Sequence, residues 1–305
     1  MRLQDKLVPY LEYCTYRKEL DQKTVKAYRI DLRQYFAFVA SEDPDKEKIE
    51  EYITELHKKY KQKTVKRKIA SVKAYYSYLE EEEVIKENPF RKIKVKFKET
   101  LILPRIISRE EIENVLNHMY SCLQLATEAA YKYCLRDVAV IELFFATGAR
   151  VYEISNIRAE NVNLNTGLIR FMGKGAKERY IQIGSASVLD ILRKYYTENR
   201  TAIKQSGYFF INGRGNRYTE QSIRLMLKKY TSQAGIERNI TPHMFRHSFA
   251  TYMIEEGVDI SCVQQILGHA SIKTTQIYIH VAARKQAEIL RAMHPRNHMK
   301  IIGAA

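Results

Sequence analysis

No stretch of this chain stays apolar for long. A helix needs about 20 consecutive apolar residues to cross a bilayer, and no run approaches that length. The opening MRLQDKLVPY also lacks the apolar centre of a secretory leader. A membrane protein or an exported one is therefore not expected, and the cytoplasm is the expected compartment. Cysteine is scarce. Cys14, Cys122, Cys134 and Cys262 are scattered and form no CxxC pair, so reduced, packed thiols are expected instead of disulfides or a zinc knot. No cluster of carboxylates suggests a catalytic magnesium ion, and neither a metal nor any other cofactor is expected. Glycine is absent from the first 92 residues. Acidic residues are in deficit, with 35 Asp plus Glu against 51 Lys plus Arg, a formal net charge of +16. A soluble chain so basic repels itself without an anionic partner, and nucleic acid is the commonest one.

At 305 residues and 45% hydrophobic, the chain is long enough for two domains, each with a core. Residues 1–92 carry apolar side chains at helical spacing throughout. Gln22-Lys-Thr-Val-Lys26 recurs forty residues later as Gln62-Lys-Thr-Val-Lys66. Each copy opens a helix that soon turns aromatic, through Tyr28, Tyr35, Phe36 and Phe38 or through Tyr75, Tyr76 and Tyr78. Thr24 and Thr64 are candidate N-caps or first-turn residues. The aromatics read as core. The lysines read as a phosphate-binding end, because helix N-termini already favour anions. Lys23 and Lys26 are candidate DNA contacts at the first helix start, and Lys58, Lys59, Lys61, Lys63, Lys66, Arg67 and Lys68 make a dense basic patch at the second.

Residues 93–107 read as a linker. Within Arg91-Lys-Ile-Lys-Val-Lys-Phe-Lys98, charge alternates with apolar residues, which suits an edge strand or an extended basic linker lying on phosphates, with Lys94 and Lys96 as contacts. Ser108-Arg-Glu-Glu111 has the form of a capping box and opens a second domain, 108–281. That domain is mixed. Helices are expected at 109–119, 136–147, 185–198, 219–234, 243–256 and 259–267. Strands are expected at 168–172 and 179–183, around the hairpin turn Gly173-Lys-Gly-Ala-Lys177. The stretch 119–135 is helical in period and has no evident purpose. Residues 282–305 hold an amphipathic helix, at 282–293, and a tail.

Four segments stand out, although taken singly the first reads as a helix C-cap with an ordinary ion pair and the second as a common Gly-Lys-Gly turn. In Thr147-Gly-Ala-Arg150, a glycine ends an apolar helix and lets the chain turn to project a guanidinium; Glu153 is placed to hold it. Lys174 sits in a tight glycine turn. His243 and Arg246 lie three apart on one helix face after Thr241-Pro242. Leu267-Gly-His269 is followed by Tyr278 nine residues on. Two arginines can grip both non-bridging oxygens of one phosphate. His243 and His247 have the i, i+4 spacing of zinc ligands but lack the glutamate of a HExxH motif and an evident third ligand.

In this order and spacing the segments resemble the tyrosine site-specific recombinases, the phage integrase family, over essentially the whole chain. The resemblance implies an active site of Arg150, Lys174, His243, Arg246 and His269 with Tyr278 as nucleophile, and Glu153 buttressing Arg150. It implies a mainly α fold with a small β-sheet: an all-helical core-binding domain, then a mixed α/β (α+β) catalytic domain. It also implies strand exchange through a 3′-phosphotyrosyl link, double-stranded DNA as partner, and a tetramer on paired sites in which residues 282–305 dock on a neighbouring subunit. Integration or excision of a mobile element, or inversion of a segment, is the expected task, with resolution of chromosome dimers left open beside it. Arg217, Arg224 and Lys228, on or just before the helix near Thr219, are candidate base readers, with a solvated helix face as the equal alternative for each. A type IB topoisomerase and a non-catalytic DNA-binding protein are the alternatives; a required target site argues against the first and a covalent adduct against the second.

Overall fold

The computed structural model describes residues 3–40, 45–95, 97, 105–173 and 178–268. The chain divides into two units, Met1–Thr100 and Leu101–Ala305. The first is helical: a 3-10 turn at Leu3–Lys6, then α1 (Leu7–Tyr16), α2 (Gln22–Val39), α3 (Lys46–Lys59), α4 (Gln62–Glu81) and a 3-10 turn at Pro89–Arg91. The repeated motif opens α2 and α4. Their N-caps are Asp21, whose carboxylate accepts from Lys23 N, and Lys61. Thr24 and Thr64 therefore stand in the first turns. The aromatics are core: Tyr35 and Tyr75 are fully buried, Tyr76 and Tyr78 nearly so, and Tyr35 Oη lies 2.9 Å from Tyr76 Oη.

The basic patch needs one correction. Lys68 is only 3% exposed and donates to Asp31 at 3.0 Å. Asp31 is itself buried and also takes bonds from Arg67 and from Ser71 Oγ. A buried carboxylate keeps its charge only among donors, so Lys68 serves the junction of α2 and α4 instead of the solvent face. Packed residues also reach into both ends of the stretch read as linker. Ile93 belongs to the core of the first unit, and Ile107 to that of the second, where its N–H donates to Ser248 Oγ at 2.7 Å. Residues 93–95 form no strand. Lys96 lies outside the described residues.

The second unit contains α5 (Arg109–Gln124), α6 (Glu128–Thr147), α7 (Val151–Ser155), a 3-10 turn (Ala159–Asn161), β1 (Val162–Asn163), β2 (Leu168–Met172), β3 (Glu178–Gln182), α8 (Ala186–Ser206), α9 (Glu220–Gln233), α10 (Pro242–Glu255) and α11 (Ile260–Leu267). Ser108 closes the expected capping box with Glu111. The stretch 119–135 is no separate element. It is the end of α5, a short turn, and the start of α6. α8 runs to Ser206, past the expected end at 198, and stops where Gly207 adopts φ +71°. α6 is the centre of the core, with every residue from Leu135 to Ile141 buried. The three strands are antiparallel in the order β1-β2-β3, with Phe171 opposite Arg179 and Ile169 opposite Ile181. The four cysteines are free, as expected, but only Cys14 is buried; Cys262 is exposed, contrary to the expectation of packed thiols. The expected helix at 282–293 lies outside the described residues. Among the described residues no helix is long and apolar enough to cross a membrane.

Candidate active site

Arg150 owes its position to the end of α6. Thr147 Oγ1 donates to Leu143 O at 2.6 Å, and Gly148 turns the chain at φ +56°. Ala149 is buried, and Arg150 then becomes the N-cap of α7. A side chain at position 148 is barred twice. The left-handed backbone disfavours it, and a Cβ there would stand 2.7 Å from Phe249 and 2.8 Å from Leu267.

Glu153 lies one turn along α7 with its side chain 1% exposed. Its Oε2 accepts from Arg150 N at 2.6 Å, and its Oε1 from Arg150 Nη1 at 2.9 Å. A second arginine, Arg179 of β3, holds the same carboxylate, with Nη2 donating to Oε2 at 2.8 Å and Nη1 bonding Oε1. Burial by itself raises the Glu153 pKa. The hydrogen bonds and charge of Arg179, then those of Arg150, outweigh it and hold the carboxyl below its ordinary value. The carboxylate thus stays charged and fixes Arg150 in place.

Arg246 reaches the same place from α10. Pro242 occupies the first turn of that helix, and Phe245 packs 6.1 Å from Phe144 of α6. Arg246 is buried; its Nη1 donates to Gly148 O at 2.8 Å and its Nη2 to Leu267 O at 2.7 Å. Arg150 Nη2 donates to the next carbonyl, Gly268 O, at 3.3 Å. Gly268 ends α11 at φ +62°. Both guanidinium groups are therefore anchored on Leu267–Gly268, directly before His269. His243 is exposed at the start of α10. His247, one turn on, is half-buried. Burial, then the charges of His243 and Arg246, push its pKa down and favour the neutral ring.

The described residues thus bring together Arg150, Glu153 and Arg246. Lys174, His269 and Tyr278 lie outside them. Of the candidate DNA contacts, Lys23, Lys26, Lys63, Arg67 and Lys94 are exposed, although Arg67 pairs with Asp31. Lys66 is half-buried, with its ammonium 5.0 Å from the Phe97 ring. Arg224 and Lys228 are exposed on α9, Arg224 in an ion pair with Glu220 at 2.9 Å. Arg217 is drawn inward, donating to Asn156 Oδ1 at 2.5 Å. The sequence reading missed Arg179. Its signal was the strand alternation, which puts Arg179 on the same face as Ile181 and Ile183.

Comparison with known proteins gives matches along most of the chain. Residues 105–285 match the model described as Phage integrase family, and residues 7–83 match Phage integrase, N-terminal SAM-like domain. A tyrosine recombinase of Agathobacter rectalis is 47% identical, over 96% of this chain and 97% of the relative. Tyrosine recombinase XerD of Listeria innocua is 32% identical, over 96% of this chain and all of the relative. Among solved structures, the XerH site-specific recombinase bound to palindromic difH substrate superposes with a TM-score of 0.73 at 22% identity, covering 92% of this chain and 83% of that one. A lambda integrase tetramer bound to a Holliday junction gives 0.68 at 14% identity, covering 91% and 77%. At such identities the likeness is one of fold.

Proposed function

The chain belongs to the phage integrase family and is a tyrosine recombinase, and from that premise we propose that Arg150, Lys174, His243, Arg246 and His269 gather on one scissile phosphate that Tyr278 attacks. The enzyme cuts and rejoins DNA at specific sites. A phosphodiester resists attack because it is already an anion and its leaving alkoxide is poor. Preorganised cations in a site closed to water best stabilise the charge that builds on the phosphorane. Arg150 and Arg246 are planar forks suited to the two non-bridging oxygens, and His269 donates a third hydrogen bond.

A free tyrosine hydroxyl has a pKa of about 10, so Tyr278 needs a base. His243 takes that proton as the Tyr278 oxygen bonds to phosphorus. Lys174 gives a proton to the 5′ oxygen as the old P–O bond breaks. The 3′-phosphotyrosyl link conserves the bond energy. Attack by a 5′ hydroxyl of another strand reverses each transfer without ATP. The observation that supports this reading is the shared anchorage of two arginines on Leu267–Gly268, with a buried glutamate fixing one of them.

The partner is double-stranded DNA, held by the exposed lysines of the first unit and by Arg224 and Lys228. The assembly is a tetramer on paired sites, with residues 282–305 docking on a neighbouring subunit. The lambda integrase tetramer on a Holliday junction supports the tetrameric state. Removing residues 284–305 should abolish assembly on DNA while leaving binding of one subunit to one half-site. The compartment is the cytoplasm. The task is integration, excision or inversion of a DNA segment, and its support is the phage integrase model matched by residues 105–285. The test uses nicked suicide substrates drawn from DNA flanking the gene. A covalent protein–DNA adduct on a denaturing gel, lost in Tyr278→Phe, is expected. An adduct that persists in Tyr278→Phe contradicts the choice of nucleophile.

A further inference from the structure

The face of the sheet that carries Ile169, Phe171 and Ile181 is apolar except for Arg179, which pairs across the strands with Phe171. A charge on such a face is costly unless it is matched. Arg179 is matched by Glu153 alone among the described carboxylates within salt-bridge reach, and its guanidinium lies 5.0 Å from the Phe171 ring. Each Glu153 oxygen is shared between the two arginines. Exposure separates their roles. The Arg179 side chain is 10% exposed and Arg150 37%, so Arg179 faces the core and Arg150 faces outward. The stem of Arg179 also backs the other anchor of Arg150. A Cβ on Gly268 would lie 3.1 Å from Arg179 Cδ, and Gly268 O accepts from Arg150.

We infer that Arg179 is a positioning residue: it holds Glu153 in place so that Glu153 orients Arg150 on the scissile phosphate, and it thereby ties β3 to Arg150. The inference rests on the active site proposed above. Arg179 is the second residue of β3, so a shift of β3 moves the carboxylate that aims Arg150. Burial alone would raise the Glu153 pKa, and Arg179 is the foremost opposing influence. Without Arg179, Glu153 takes up a proton at higher pH and its grip on Arg150 weakens.

The test is the strand-cleavage rate on a nicked substrate at saturating DNA, between about pH 5 and 9. The variants are Arg179→Gln, Arg179→Lys, Glu153→Gln and the double Glu153→Gln/Arg179→Gln. Arg179→Gln should slow cleavage about 100-fold with DNA affinity little changed, because a small misplacement of a catalytic group costs that much. The loss should be largest at low pH, and Arg179→Lys should recover part of it. The double variant should cleave no more slowly than Glu153→Gln alone, because Gln keeps the stem to Cδ that backs Gly268 and the guanidinium it removes acts through that carboxylate. Wild-type cleavage in Arg179→Gln would overturn the inference. So would a double variant slowed well beyond Glu153→Gln, a comparison that holds even if the Arg179 single variant does not fold. Wild-type protein that forms no Tyr278 adduct would instead sink the proposed active site. A wild-type adduct with cleavage indifferent to Arg179 would sink only this inference.

Discussion

Gly148 combines a left-handed backbone with close contact to Phe249 and Leu267, and its own carbonyl receives Arg246. Gly148→Ala should lower stability by about 2 to 4 kcal/mol, from left-handed strain plus overpacking, read as a lower urea midpoint. Asp31→Ala should cost about 3 to 5 kcal/mol, because it leaves Lys68 buried without its carboxylate. Glu153 gives a pH dependence of definite sign. Its folded pKa lies below the unfolded value of about 4.3, so its contribution is complete above that pH and is lost as pH falls through the lower folded value. Urea unfolding across that acid range should show a fall in stability that is blunted in Glu153→Gln. At this scale the arginine motifs were legible because glycine, proline and spacing announce them. Lys68 was not, because its partner Asp31 lies 37 residues away and only the packing of α2 on α4 brings them together.

At the scale of elements, hydrophobic period and caps carried most of the reading. Ser108→Ala should cost about 1 kcal/mol by removing one half of the capping box, measured as a shift in urea midpoint. The misread boundaries have identifiable causes. Leu125, Ala126 and Thr127 separate α5 from α6 without a glycine or proline, so nothing local marked the turn. α8 continues through the polar run Thr197–Thr201, where the helical pattern lapses before Ile203, which is fully buried. The sheet was legible through its β-branched and aromatic runs, yet the meaning of Arg179 was not. Alternation identifies an inward arginine but does not name the buried glutamate on α7 that receives it.

For the whole molecule, the net charge of +16 is the dominant fact. DNA affinity should fall linearly with log salt, with a slope of about −0.9 per phosphate contacted. Lys26→Ala and Lys63→Ala should each weaken binding to all sequences alike and reduce the slope by about 1, measured by titration at several salt concentrations. An unchanged slope would remove those side chains from the interface. A core in each unit was foreseeable from length and apolar content, and the function was legible because its motifs follow one another in a fixed order along the chain. The central claim is that Arg150 and Arg246 grip one phosphate that Tyr278 attacks. The most direct measurement is a structure of the Tyr278→Phe protein bound to its intact site. The expected result is both guanidinium groups within about 3.2 Å of the non-bridging oxygens of a single phosphate, with the substituted aromatic ring aimed at its phosphorus. Arginines on different phosphates, or that ring remote from both, would contradict the account.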